Sequence, residues 1–341
     1  MTTSNSRRLK GRLRTIGLSN AAINAVWPRW WSEAAEASPS ARAELVFSVA
    51  RRFGLDPRSL LEGADEPRFL WQTESRFKHL SGTSVLERAG LTSFGRSVAA
   101  TLLAAVPGQA PDIRGTPAAY LRTALLAGDR PYVGLTDLLT LAWSIGVPVA
   151  YLRVYPLRQK RMAAMTVAVA ERTAIILGKD SRYPAPIAFY IAHEIGHIAL
   201  RHVAADRLIV DFETAQPTLD PDDQEEKAAD AFALELLTGR PQPTVVGAGP
   251  YRPTARSLAQ VAVSSGPQLR IEPGMIAQCY GYSTMDWAVA IKSLRYIYPA
   301  AEPVWQQVNA IARSQLVLDA LPPDAAEFLE IVLGLLAPSS G

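Results

Sequence analysis

Residues 188–198 read Ala188-Phe-Tyr-Ile-Ala-His-Glu-Ile-Gly-His-Ile198, and within them His193 and His197 stand four positions apart with Glu194 between. On an α-helix that spacing is about one turn, so both imidazoles project from one face and reach a common point. A divalent metal is the group that two such imidazoles would hold, and Glu194 lies beside them, placed to take the proton of a metal-bound water. This is the H-E-x-x-H pattern. The stretch 186–202 is predicted as one long amphipathic helix. Before it come β-type runs at 147–155, 162–170 and 173–177, with Glu171-Arg172 turning between the last two.

A catalytic zinc site needs three protein ligands and one open position. The extension H-x-x-G-x-x-H fails here, because Leu200 and Val203 stand where Gly and His would be required. His202 is a poor ligand candidate: on a continuing helix it would point away from the face that His193 and His197 share. A second helix is predicted from about Asp223 to Leu237, stopping at Gly239, with an apolar stripe of Ala229, Phe232, Ala233, Leu236 and Leu237. Glu226 lies on the side of that stripe, where a carboxylate is costly to bury unless something pairs with it. It is the preferred third ligand, with Glu225 as the alternative. Asp230, one turn further on, is placed to accept the second ring N–H of a ligating histidine. Tyr190, two turns before His197, either lines the cleft or packs beneath the site; Tyr183 is a weaker candidate of the same kind.

Working outward, the chain is 341 residues long, with a net charge of +3 and nearly half of its residues apolar, so a sizeable core is expected. Residues 1–60 carry ten Lys or Arg against four Asp or Glu, so this sixth is locally basic. The single cysteine, Cys279, excludes an intrachain disulfide and reads as a small buried apolar residue. No secretory signal and no membrane-length apolar stretch is seen, and the expectation is a cytoplasmic protein with no membrane partner.

Helical signals dominate elsewhere. Residues 1–6 are expected to be disordered, 7–26 helical with a break at 17–19, and 39–53 a helix with Ser38 as N-cap and Gly54 as stop. A short capped helix follows at 55–61, and 66–128 is predicted mostly helical around a loop at 107–116. Residues 136–145 form a further helix. After the motif the chain is polar from 204 to 223, with a candidate strand at 207–212. Residues 240–255 are loop, and helices are predicted near 255–263, 273–278, 284–296, 303–318 and 323–336. The class is α+β, mainly helical, with a small β-sheet preceding the metal-binding helix. Four segments are expected: helical 1–65, a helical connection 66–128, a core 129–240 carrying the motif, and a helical region 241–341.

The stretch 188–198, together with Glu226-x-x-Ala-x-x-Phe-Ala-x-x-Leu-Leu237, resembles the ImmA/IrrE family of zinc metallopeptidases. The resemblance covers roughly residues 130–240. It implies a zincin-like peptidase domain with His193, His197 and Glu226 as Zn²⁺ ligands and Glu194 as catalytic base. The chain departs from the family at Asp230, often Asn there; at Thr238-Gly239, often Met-Pro; and at Arg201, where an extra histidine is common and His202 is one position late. Family members often carry a helix-turn-helix and act on or beside a Cro/repressor-type transcription factor. Residues 39–61 are similar to the last helices of such a domain, while the aromatic cluster at 27–31 interrupts its front half.

The leading expectation is therefore a zinc-dependent endopeptidase of narrow specificity whose substrate is a protein partner, a transcriptional repressor being the class implied. The alternatives are a DNA-binding transcriptional regulator, using the basic N-terminal region, and a protein-interaction module, each with a non-catalytic metal site. The basic residues at 7–14 suit either DNA phosphates or a solvated helix face. The acidic stretch 206–226 would border the cleft or form a solvated loop.

Overall fold

A computed structural model describes residues 5–61, 66–71, 75–78, 84–108, 111–157, 162–203, 208–212, 224–243, 252–300 and 302–336. Its N-terminal half runs α1 (Asn5–Thr15), α2 (Asn20–Val26), α3 (Glu33–Ala37), α4 (Pro39–Phe53), β1 (Ser75–Lys78), α5 (Val85–Ala104), α6 (Ala118–Leu125) and α7 (Leu135–Ser144). Then come β2 (Val149–Tyr151), β3 (Met162–Val169), β4 (Arg172–Leu177), α8 (Pro184–Ala199), β5 (Leu208–Phe212) and α9 (Gln224–Thr238). The C-terminal part holds α10 (Ala255–Leu269), α11 (Pro273–Thr284), α12 (Trp287–Ile297), α13 (Val304–Gln315) and α14 (Pro323–Val332). The class is the expected one, α+β and mainly helical.

Several boundaries follow from local chemistry. The Ser38 side chain accepts from the backbone N–H of Ala41, Pro39 opens α4, and Gly54 ends it at φ 66°. A Cβ at Gly54 would also strike Trp71 and the Ser93 carbonyl, so the position requires glycine twice over. Ser84 and Glu87 form a reciprocal capping box at the start of α5. Other boundaries differ from expectation. Asn5 and Ser6 already belong to α1 rather than to a disordered tail. Helix α10 runs past Ser264-Ser-Gly-Pro267 to Leu269, where the turn-like composition suggested an end at 263; Gly266 packs closely on Pro273 and the Ile271 carbonyl, and tertiary contact overrides propensity. Of the acidic stretch 206–226, all but 208–212 and 224–226 falls outside the described residues, as does most of the loop 240–255.

The strands form one sheet in the order β1-β5-β3-β4-β2. β3 is central and antiparallel to both β4 and β5, whereas β2 lies parallel to β4 and β1 parallel to β5. One strand corrects the sequence reading, whereas β5 matches the candidate strand expected at 207–212. Ser75–Lys78 lies in a region expected to be helical; with one apolar residue in four it has no strand pattern of its own, and pairing with β5 makes it a strand. β5 follows α8, so the sheet draws on both sides of the motif helix rather than preceding it entirely.

Side chains alternate between the faces of this sheet. Ala150, Leu152, Met165, Val167, Ala174 and Ile176 join a core with residues of α1, α2, α4, α5 and α14. Val149, Tyr151, Ala164, Ile175 and Leu177 join a second core with residues of α6 to α9, α11 and α13. The sheet is thus a middle layer covered on both sides, which is why β3 reads as an almost unbroken apolar run. A register irregularity between Met162 and Ala164 turns Met162 to the first core although its parity matches Ala164. In the first core the buried Arg52 guanidinium donates to the carbonyls of Val26 and Asp324, at 2.8 and 2.7 Å, and so links α2, α4 and α14.

At the β2 edge, the fully buried Asn309 of α13 stands in for a neighbouring strand. Its Oδ1 accepts the Tyr151 N–H at 2.7 Å, and its Nδ2 donates to the carbonyls of Tyr151 and Leu333 at 2.9 and 2.7 Å. Replacing it leaves buried backbone groups without these bonds, which costs about 3 kcal/mol. Asn309→Leu is expected to lower the urea midpoint by a corresponding amount with an unchanged slope; a midpoint equal to that of wild type would disprove the edge-sealing role.

Candidate metal centre

Helix α8 carries His193, Glu194 and His197 and is largely enclosed in the second core. Thirteen of its sixteen residues are buried. Ile187, Ile191, Ile195 and Ile198 each stabilise its seat by roughly 1.5–3 kcal/mol. Helix α9 crosses beside it, and Gly196 is what permits the close approach. A Cβ there would lie 3.2 Å from the Phe232 ring and 3.3 Å from the Ala229 carbonyl. The glycine inside the motif thus suits the close α8–α9 contact, where a Cβ would make the Phe232 ring or the Ala229 backbone give by a few tenths of an ångström.

That contact brings Glu226 of α9 against the two histidines. The Nε2 atoms of His193 and His197 are 2.9 Å apart. Glu226 places Oε2 3.4 Å from the first and Oε1 3.1 Å from the second. All three residues are buried, and they form a group able to hold a metal ion. Ligand bonds of about 2.0–2.1 Å in tetrahedral array put donor atoms about 3.3 Å apart, close to the edges of this triangle. Glu225, the alternative ligand, is half-buried and does not belong to the group.

Each histidine is also held from behind. His193 Nδ1 lies 2.9 Å from Asp230 Oδ1, as expected from the sequence, so this nitrogen carries the proton donated to the carboxylate. His197 Nδ1 lies 2.9 Å from Nδ1 of His202. This second contact corrects the sequence reading, which sent His202 to the far side of a continuing helix. Helix α8 stops at Ala199, and Arg201 takes the left-handed conformation at φ 62°. The N–H of His202 then bonds back to the His197 carbonyl at 2.9 Å, and that of Arg201 to Ile198 at 3.1 Å, a Schellman closure. The turn swings His202 back beneath His197. No glycine marks it in the sequence, so only composition contrary to rule could have betrayed it.

Glu194 is fully buried, and its Oε2 accepts a hydrogen bond from the Thr166 hydroxyl of β3. Tyr190 is half-buried and its phenol oxygen accepts from Lys179 Nζ at 2.9 Å. Tyr183 caps α8 and stacks on Tyr298 with ring centroids 5.8 Å apart, in a separate apolar cluster. Tyr282 of α11, which no motif singled out, packs on Phe189 at 5.5 Å between centroids. Desolvation pushes its phenol well above the ordinary range, and the nearby negative charge of Asp230 adds to the shift, so it persists as a proton-bearing group. Cys279 is buried, as expected.

Asp230→Ala and His202→Ala should each weaken the binding of an added divalent metal ion by about 10–100-fold, because each removes the contact behind one ring of the group able to hold it. Competition against a chromogenic chelator measures this; affinities equal to wild type would show that these contacts do not orient the ligands.

No protein-family model matches the chain, and no curated protein or solved structure matches it either.

Proposed function

We propose that the chain is a zinc-dependent endopeptidase of narrow specificity acting on a protein partner. The observation that carries this reading is the convergence of His193, His197 and Glu226 with both histidine Nδ1 atoms tied to other side chains. Two neutral imidazoles and one carboxylate are a donor set suited to zinc. Among the described residues the group has three members, which suits a catalytic site with an open position better than a closed structural one. His202 does not close it, since its contact is with the rear nitrogen of His197.

A zinc ion held by His193, His197 and Glu226 would supply a Lewis acid and a bound water acidified toward neutrality. Glu194 would serve as general base, taking a proton from the attacking water and handing it to the departing amine. Asp230 and His202 keep the ring protons on Nδ1 and so direct the Nε2 lone pairs into the site. A repressor as substrate rests on the motif resemblance alone.

The DNA-binding alternative gains less support. The helix between α2 and α4 has five residues, with Glu33 and Glu36 and no basic side chain, a poor element to enter a groove of negative potential. Within the basic stretch 7–14, Lys10 lies over the Trp27 ring at 4.5 Å and Arg14 bonds Asn20. Arg12 donates to the carbonyls of Ser59, Leu60 and Leu61. These three fasten the N-terminal helices together. No helix among the described residues is long and apolar enough to cross a membrane.

Elemental analysis of protein purified without chelator tests the reading. Stoichiometric zinc is expected in wild type and Glu194→Gln and its loss in Glu226→Ala, with cleavage of the partner abolished in Glu194→Gln. Metal-free wild type, or a Glu194→Gln variant that still cleaves, would end the peptidase assignment.

A further inference from the structure

We propose that Thr166 orients the Glu194 carboxylate toward whatever occupies the open position of the metal, a positioning role that rests on the hydrolytic reading above. Thr166 is the one polar side chain in Met162–Val169 and is fully buried. Alternation places it on the same face as Ala164, the face that α8 covers. Its strand is the central one, with Thr166 paired to Ile175 on one side and Ile209 on the other.

Packing does not call for a hydroxyl at this position. Valine has nearly the same shape and would suit a buried central strand better. What the hydroxyl does is donate to Oε2 of Glu194, which is itself fully buried. A carboxylate so enclosed needs a donor. With one oxygen tied to a stiff β-branched side chain on the most restrained strand of the sheet, the carboxylate plane is set, and so is the direction of Oε1. A base that must meet a metal-bound water within hydrogen-bond reach depends on that setting. The contact joins residues 28 positions apart and has no local sequence signature.

The test uses the full-length protein loaded with cobalt(II), whose visible bands report both metal occupancy and ligand entry, titrated with acetohydroxamate. This probe chelates the metal through two oxygens and offers its hydroxyl proton to the neighbouring carboxylate, so its affinity reads the carboxylate's orientation without a known substrate. Thr166→Val and Thr166→Ala, two different hydroxyl-less variants, are expected to bind the probe about tenfold more weakly or worse. Thr166→Ser should restore wild-type affinity. Thr166→Val combined with Glu194→Gln should bind no more weakly than Glu194→Gln alone, because the two side chains act as a unit.

Wild-type affinity in the hydroxyl-less variants beside a weakened Glu194→Gln would overturn the proposal, and a lowered melting temperature with unchanged affinity would reduce Thr166 to a structural tie. Unchanged affinity in Glu194→Gln as well would remove Glu194 from the open position, overturning the proposal while leaving the metal site standing. Absence of cobalt bands in wild type would instead overturn the metal reading itself, and the proposal with it.

Discussion

Two imidazoles and a carboxylate lie buried against one another where α8 crosses α9, and an apolar interior tolerates such groups only when every polar atom meets a partner. The surroundings of the crossing meet most of that demand. The inward atoms face one another within 3.4 Å, the outward ring nitrogens meet Asp230 and His202, and the adjacent Glu194 meets Thr166. Because two ring nitrogens and two carboxylate oxygens converge on one point, a cation there satisfies all of them at once, which hydrogen bonds among the same atoms cannot do.

The rest of the fold serves to hold this crossing still. The sheet lies beneath α8 with apolar side chains on both faces, so neither helical layer slides without exposing the other's core. Gly196 lets α9 close on α8, and Arg122 of α6, bonded to the carbonyls of Leu236 and Arg270, ties the end of α9 to the end of α10. Those helices, for which no chemistry was legible, contribute Tyr282 near the site and Asn309 at the sheet edge.

How much of this could be read from the chain depends on the range of the interaction. His193, His197 and Glu194 lie within five residues and the helix period relates them, so their common face was legible. Glu226 and Asp230 were found by the same periodicity applied to a second helix, whose apolar stripe showed which side was buried. His202 was misplaced because its position turns on a single left-handed residue, Arg201, at which the usual glycine is missing. Thr166, Tyr282 and β1 were not found at all: each matters only through a partner far along the chain.

The sequence by itself determined the helical class, the central apolar strands and the presence of a histidine helix and an acidic one, because those are written in local periods of 2 and 3.6 residues. Only the tertiary structure decided between Glu226 and Glu225, what stands behind the His197 ring, and what holds Glu194. Those outcomes are set by how closely two helices cross and which strand lies beneath them, distances that depend on the packed volumes of residues from the whole chain.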